Sequence, residues 1–194
     1  MRIAEKERMT KETSIKISVN LDGQGQYDIK TDLKFFKHML EQFSAHSGYD
    51  VTIDAKSLDE DSHHLVEDVA IVLGEVILQA LGDKKGINRY GMQYLPMDDA
   101  LVRCVLDLSG RVFCKTNISL NDEKTSDFET VLLYHFFRSF SQSSKSTIHI
   151  DMLDGEDTHH IIEASFKAFA RAISQATEIS EKNKEKIMST KGML

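Results

Sequence analysis

Two short runs of this sequence hold an unusual density of imidazole and carboxylate. They are Asp61-Ser62-His63-His64-Leu65-Val66-Glu67 and Asp157-Thr158-His159-His160-Ile161-Ile162-Glu163, set half a chain apart. Both contain His-His-x-x-Glu, a pattern expected about 0.02 times by chance in a chain of this composition. On a helix, residues i and i+4 share a face, so His63 points with Glu67 and His159 with Glu163. The neighbouring His64 and His160 are turned by about 100°. Each adjacent pair is therefore ill placed to hold one ion and well placed to reach two. His38 and His135 stand at nearly equal distances before the two motifs. Shared out by the repeat, the ligands are three histidines and one glutamate per ion, for two ions. Imidazole and carboxylate without thiolate suit an octahedral borderline metal with open positions, which implies catalysis. Mn²⁺ fits best, with Fe²⁺, Co²⁺ or Zn²⁺ competing.

The repeat extends beyond the motifs and specifies the elements that carry them. Gln79-Ala80 matches Gln175-Ala176, and Val19-Asn20-Leu21-Asp22-Gly23 resembles Leu106-Asp107-Leu108-Ser109-Gly110. Alternating segments at 15–19, 101–108 and 111–118 read as strands. Helices follow near 35–46 and 130–142, then strands at 51–53 and 147–150. Each half closes with a long amphipathic helix bearing the motif, for which Asp61/Ser62 and Asp157/Thr158 are suitable N-caps. Residues 121–130 are extra in the second half and read as a polar loop. Strands followed by helices, twice over, indicate an α+β fold of two pseudo-symmetric repeats, 1–92 and 93–194. They form one compact body with its join near Tyr90–Met97. The tail from Ser180 is polar and contains Ser189-Thr190-Lys191-Gly192.

The halves differ where an asymmetric substrate would need them to. Four residues after the motif glutamate, the first half has Ile71 and the second Lys167, an ammonium on the ligand stripe that suits a phosphate. His46 lies on the stripe of His38, near the site. His149 has no counterpart and reads as structural. Arg89 and Arg111 flank the central strands. The formal net charge of -7 argues against a nucleic-acid partner, which selects basic faces. No run is apolar enough for a membrane span and the N-terminus has no secretory signal, so a cytoplasmic protein is expected. Cys104 and Cys114 lie in a segment that reads as a strand pair; they read as reduced core residues rather than a disulfide framework. The residues alone also fit a di-metal phosphoester hydrolase or a non-catalytic metal-binding assembly protein.

Over essentially its whole length the chain resembles the imidazoleglycerol-phosphate dehydratases. The resemblance rests on Thr10-Lys11-Glu12-Thr13-Ser14-Ile15, Phe35-Phe36-Lys37-His38-Met39-Leu40, His63-His64-Leu65-Val66-Glu67-Asp68, Arg89-Tyr90-Gly91 and Pro96-Met97-Asp98. It continues through Asp107-Leu108-Ser109-Gly110-Arg111, His159 to Lys167 and Ser189-Thr190-Lys191-Gly192. It implies two halves, each a four-stranded sheet backed by two helices, and a homo-oligomeric shell of 24 subunits built from trimers, with active sites at subunit interfaces. It implies two manganese ions per active site, held by His38, His63, His64, Glu67, His135, His159, His160 and Glu163. A substrate phosphate would be held by Arg89, Arg111, Lys167, Ser189 and Lys191, with His46 also on the substrate and Glu12 as acid/base. The implied reaction is loss of water from imidazoleglycerol phosphate to give imidazoleacetol phosphate, in histidine biosynthesis. The chain departs from the family pattern at Lys37, usually Asp, and in its approach to the first helix, Thr31-Asp32-Leu33-Lys34. Lys37 leaves open which carboxylate orients His38.

Overall fold

The computed structural model describes residues 1–194. Ile15, Ile17 and Val19 alternate with polar residues, and all three are fully buried on one face of a strand, as a half-covered sheet requires. In chain order the first half contains β1 (Ile3–Met9), β2 (Thr13–Asn20), β3 (Tyr27–Thr31), α1 (Lys34–Ser47), β4 (Asp50–Ser57) and α2 (Ser62–Leu81). The second half runs β5 (Tyr90–Met97), β6 (Ala100–Asp107), β7 (Phe113–Asn117), β8 (Lys124–Thr125), β9 (Phe128–Glu129), α3 (Leu132–Ser144), β10 (Thr147–Asp154) and α4 (Thr158–Thr177).

The two four-stranded sheets have the same design, β1-β2-β4-β3 and β5-β6-β10-β7. Within each, the first two pairings are antiparallel and the last is parallel. Even the end rungs agree, since Ile3 pairs with Asn20 and Tyr90 with Asp107. Tyr90–Met97, read from sequence as the join, is the first strand of the second sheet.

The helices of each half cover one face of its sheet. They then meet across the molecule, α1 against α4 and α2 against α3. One continuous cluster of 49 buried apolar residues results, so the halves share a core. Phenylalanines fill it: Phe136 lies 4.8 Å from Phe166 and 5.8 Å from Phe36 between ring centroids. Where α2 crosses α3 the backbones approach closely. A Cβ on Gly74 would stand 2.9 Å from the Phe140 carbonyl oxygen and collide with the Ser143 hydroxyl, so glycine alone permits this crossing.

Asp61 and Asp157 cap the motif helices as expected, their carboxylates accepting from the backbone N–H of His63 and of His159 and His160. Two expectations need correction. Residues 121–130 are not a featureless loop but carry the short β8–β9 hairpin. Phe128 anchors it, fully buried against Phe35 and Phe36, an apolar contact that local polarity concealed. Its Asp127 accepts from the N–H groups of Lys34 and Phe35 at 2.7 and 2.9 Å, capping α1 from the other half in place of Leu33, which has no side chain to do so. The second correction concerns the cysteines. β6 and β7 are not a strand pair, because β10 lies between them. Cys104 and Cys114 are both free, and burial pushes both thiols up, that of Cys114 to about 11.

Candidate metal centre

The crossing of α1 and α4 brings together one histidine from the first half and the motif of the second. His38 Nε2 lies 3.4 Å from Glu163 Oε2, and His159 Nε2 lies 3.1 Å from the same oxygen. One ligand atom from each of the three falls within 4.8 Å of the others. The edge of Phe35 packs on His159, with centroids 5.0 Å apart. Lys167 Nζ pairs with Glu163 Oε1 at 2.7 Å. Burial by itself would raise the Glu163 pKa, but Lys167, His159 and His38 outweigh it and hold the carboxyl below its usual range. On the next turns of the same crossing, His46 is pushed down by burial and by the charges of Lys167 and Arg171.

The crossing of α2 and α3 repeats this arrangement with the halves exchanged. His135 faces His63 with ring centroids 4.3 Å apart, and Glu67 Oε2 is 3.7 Å from His63 Nε2. Burial and the nearby His63 lower the His135 pKa. Here no lysine grips the glutamate; the Ser139 hydroxyl donates to Glu67 at 3.3 Å. Glu67 is 41% exposed against 7% for Glu163, so the two half-sites differ in charge and in access to water.

Three histidines and a glutamate per ion is therefore not what one chain assembles: two histidines and a glutamate converge at the α1–α4 crossing, and His63, His135 and Glu67 stand near one another, less tightly, at the α2–α3 crossing. His64 and His160 turn away, each with its ring at 77° to that of its neighbour and about 6 Å off, at 6.1 and 6.0 Å. Both are pinned outward by a carboxylate, His64 Nδ1 by Asp59 at 2.7 Å and His160 Nδ1 by Asp99 at 2.6 Å. These bonds raise the pKa of both imidazoles, and Nε2 of His160 also lies 3.7 Å from Asp98. Glu12 is exposed beside this outward face, its carboxylate clustered with Asp59 and His64. Lys37 pairs with Glu41 at 3.8 Å, and Glu41 is the carboxylate nearest His38 Nδ1, at 4.0 Å.

The cationic residues fall in two places. Lys167 and His46 stand by the α1–α4 half-site. The Arg89 backbone is bonded to the Ala176 carbonyl, about 14 Å further along α4 at the helical rise. There Arg89 makes a two-pronged contact with Asp107 at 2.7 and 3.1 Å and donates to the Met188 carbonyl at 2.8 Å. The Asp107 bond raises its pKa. Arg111 is 68% exposed, 3.8 Å from Asp107. The tail returns here, placing Ser189, whose hydroxyl accepts from the Lys191 N–H, one residue from the Arg89 contact. Sequence reasoning missed Asp59, Asp99 and Ser139, which touch the candidate ligands from outside the motifs. The Asp98-Asp99 pair in the β5–β6 turn was the one visible signal.

The donor set of imidazoles and carboxylates, with both thiols elsewhere, fits a divalent borderline cation. Residues 31–173 match the family model described as imidazoleglycerol-phosphate dehydratase. The chain is 51% identical over 195 residues to the imidazoleglycerol-phosphate dehydratase of Ruegeria pomeroyi and 48% to that of Caldanaerobacter subterraneus, covering 100% of both chains in each case. Among solved structures it is similar to the Staphylococcus aureus enzyme, with TM-score 0.84 and 41% identity, across 92% of this chain and 99% of that one. The Pyrococcus furiosus enzyme gives TM-score 0.84 and 36% identity, across 97% and 100%. A doubled sheet design, paired ligand crossings and full-length identity near one half lead to one assignment: the chain belongs to the imidazoleglycerol-phosphate dehydratase family.

Proposed function

We propose that the chain removes water from imidazoleglycerol phosphate to give imidazoleacetol phosphate, a step of histidine biosynthesis, in the cytoplasm. The observation that carries this reading is the pair of half-sites, each with two histidines and one glutamate, beside two histidines pinned outward. In the proposed assembly, His64 and His160 of one copy complete the half-sites of a neighbour. Each ion then has three histidines and one glutamate, with two manganese ions per active site. Copies meet in trimers that build a 24-subunit shell. The exposed Tyr90, Met92, Tyr94 and Phe113 on the outer face of the second sheet support contact between copies, since large apolar patches mark interaction surfaces. No helix is long and apolar enough to cross a membrane.

Arg89, Arg111, Ser189 and Lys191 of one copy and Lys167 with His46 of another hold the phosphate end of the substrate. Such orientation is worth several kcal/mol of barrier, up to about 10. When bound, the ions act as Lewis acids that favour the deprotonated form of the substrate imidazole. The electron-rich ring would expel the hydroxyl of the adjacent carbon, which leaves as water with the proton given up by the ring nitrogen. Glu12 takes the proton from the next carbon, and the resulting enol becomes the ketone.

The test is to strip the protein with chelator, restore Mn²⁺, and measure ketone formation from the substrate together with mass in solution. Activity that returns with Mn²⁺ in a large oligomer is expected. Release of inorganic phosphate without ketone would instead make this a hydrolase.

A further inference from the structure

Lys84 takes no part in the chemistry described so far, yet its ammonium is one of few charges the fold buries. The residue is 4% exposed in the turn between α2 and β5. It adopts a left-handed backbone, φ 59°, which L residues rarely occupy. That conformation turns the side chain inward, where Nζ donates to the Leu108 carbonyl at 3.0 Å. Burial lowers the Lys84 pKa, and the facing Asp107 carboxylate partly offsets this. A buried cation is costly without compensation, and this one has a single acceptor for three donors.

What Lys84 touches makes the expense intelligible. The Leu108 N–H donates to the Arg89 carbonyl at 3.1 Å, so both backbone polar groups of Leu108 are engaged, its N–H by Arg89 and its carbonyl by Lys84. Ser109, Gly110 and Arg111 follow at once, and the Ser109 hydroxyl accepts from the Arg111 N–H at 3.3 Å. On the other side Asp107 carries the bidentate Arg89. Lys84, Arg89 and Arg111 thus gather their charge around the Asp107 side of this turn, while the C-terminal carboxyl group of Leu194 lies against Gly110 on the other side.

We infer that Lys84 is a positioning residue for the phosphate site. From behind the Asp107–Arg111 turn it fixes that turn and supplies buried positive charge, so that Arg89, Arg111 and Ser189 act as one anion cradle. The inference rests on the phosphate-binding role given to those residues above, and Lys84 itself never meets the substrate. A residue serving stability alone would shift the melting temperature and leave anion affinity unchanged.

The test compares full-length, Mn²⁺-loaded wild type with Lys84→Met, Lys84→Gln and Lys84→Arg. Readouts are kcat, KM, metal content, and the affinity for inorganic phosphate measured both as a competitive inhibitor and by calorimetry. For Lys84→Met, KM and the phosphate inhibition constant should rise together by about tenfold, the scale of one charge-assisted contact. kcat should stay within about twofold and metal content should be unchanged. Lys84→Gln keeps a donor for Leu108 and carries the same test if Met does not fold. Lys84→Arg should recover most of the phosphate affinity. Unchanged phosphate affinity in a folded Met or Gln variant, or a fall in kcat alone, overturns the inference. If wild type binds phosphate but forms no ketone, the dehydratase reading fails, and calorimetry on the same variants still decides the role of Lys84.

Discussion

Asp99 accepts the Nδ1 hydrogen of His160 at 2.6 Å while also accepting the backbone N–H groups of Glu156 and Asp157 at 2.6 and 2.9 Å. Those backbone donors first, then His160, hold its carboxyl far below the usual range. Asp59 does the same for His64 from an unrelated position in the repeat. A carboxylate behind a histidine fixes its tautomer and orientation, and losing one typically lowers metal affinity about 10–100-fold. Asp99→Asn, which keeps an acceptor for the backbone, should weaken Mn²⁺ by that range in a calorimetric titration, with the melting temperature of the metal-free protein little changed. Wild-type affinity in this variant would remove Asp99 from the site.

The same contacts set the pH dependence of loading. Asp59 and Asp99 raise the pKa of His64 and His160, so in metal-free protein the protonated imidazole is favoured above the ordinary value of about 6.5. A metal needs the neutral ring, so binding must expel protons. Apparent affinity should climb between about pH 6 and pH 8, and binding heats should vary with the ionisation enthalpy of the buffer. Metal-free stability runs the other way. The contribution of these pairs is full below the unfolded histidine value and fades as pH rises through the raised folded one.

Glu12 sits on a turn anchored to α2. Thr13 Oγ1 donates to the buried Asp68 at 2.5 Å, and Arg8 Nε donates to the same carboxylate at 3.0 Å. Glu12→Gln should lower kcat by about 10²–10⁴, the usual worth of a general base, with metal content intact. Full turnover in a fully metallated variant would exclude Glu12 as the base. Asp68→Asn should lower kcat less, because it loosens the turn without deleting the carboxylate.

Phe136 is fully buried between Phe36, Phe137 and Phe166, at the junction of both helix pairs. Phe136→Ala should cost about 3–5 kcal/mol in denaturant unfolding. A cost under about 1 kcal/mol would mean the core collapses around the gap.

The pairing of the candidate ligands was legible because helical spacing is a local rule: His63 with Glu67, and His159 with Glu163, could be read as pairs from four positions of sequence. His38 and His135 followed from the repeat. Which histidine meets which motif was not legible, since that depends on α1 crossing α4 rather than α2. Asp59 and Asp99 escaped for the related reason that identical tasks are done from non-equivalent positions, so aligning the halves hides them. Asp127 escaped because its N–H partners belong to a helix in the other half. β1 and β3 carry too little apolar alternation to announce themselves, and β10 separates Cys104 from Cys114 because a parallel strand arrives from beyond a helix.

Each half-site draws its lone histidine from one repeat and its motif from the other. Neither repeat on its own brings His38, His159 and Glu163 together. A half-length chain with the same elements would need a second copy before it could bring such a set of side chains together. The same exchange makes the interlocked helices a lock between the repeats: cutting the chain between α2 and β5 would leave two pieces that restore this convergence of imidazole and carboxylate only by finding each other again.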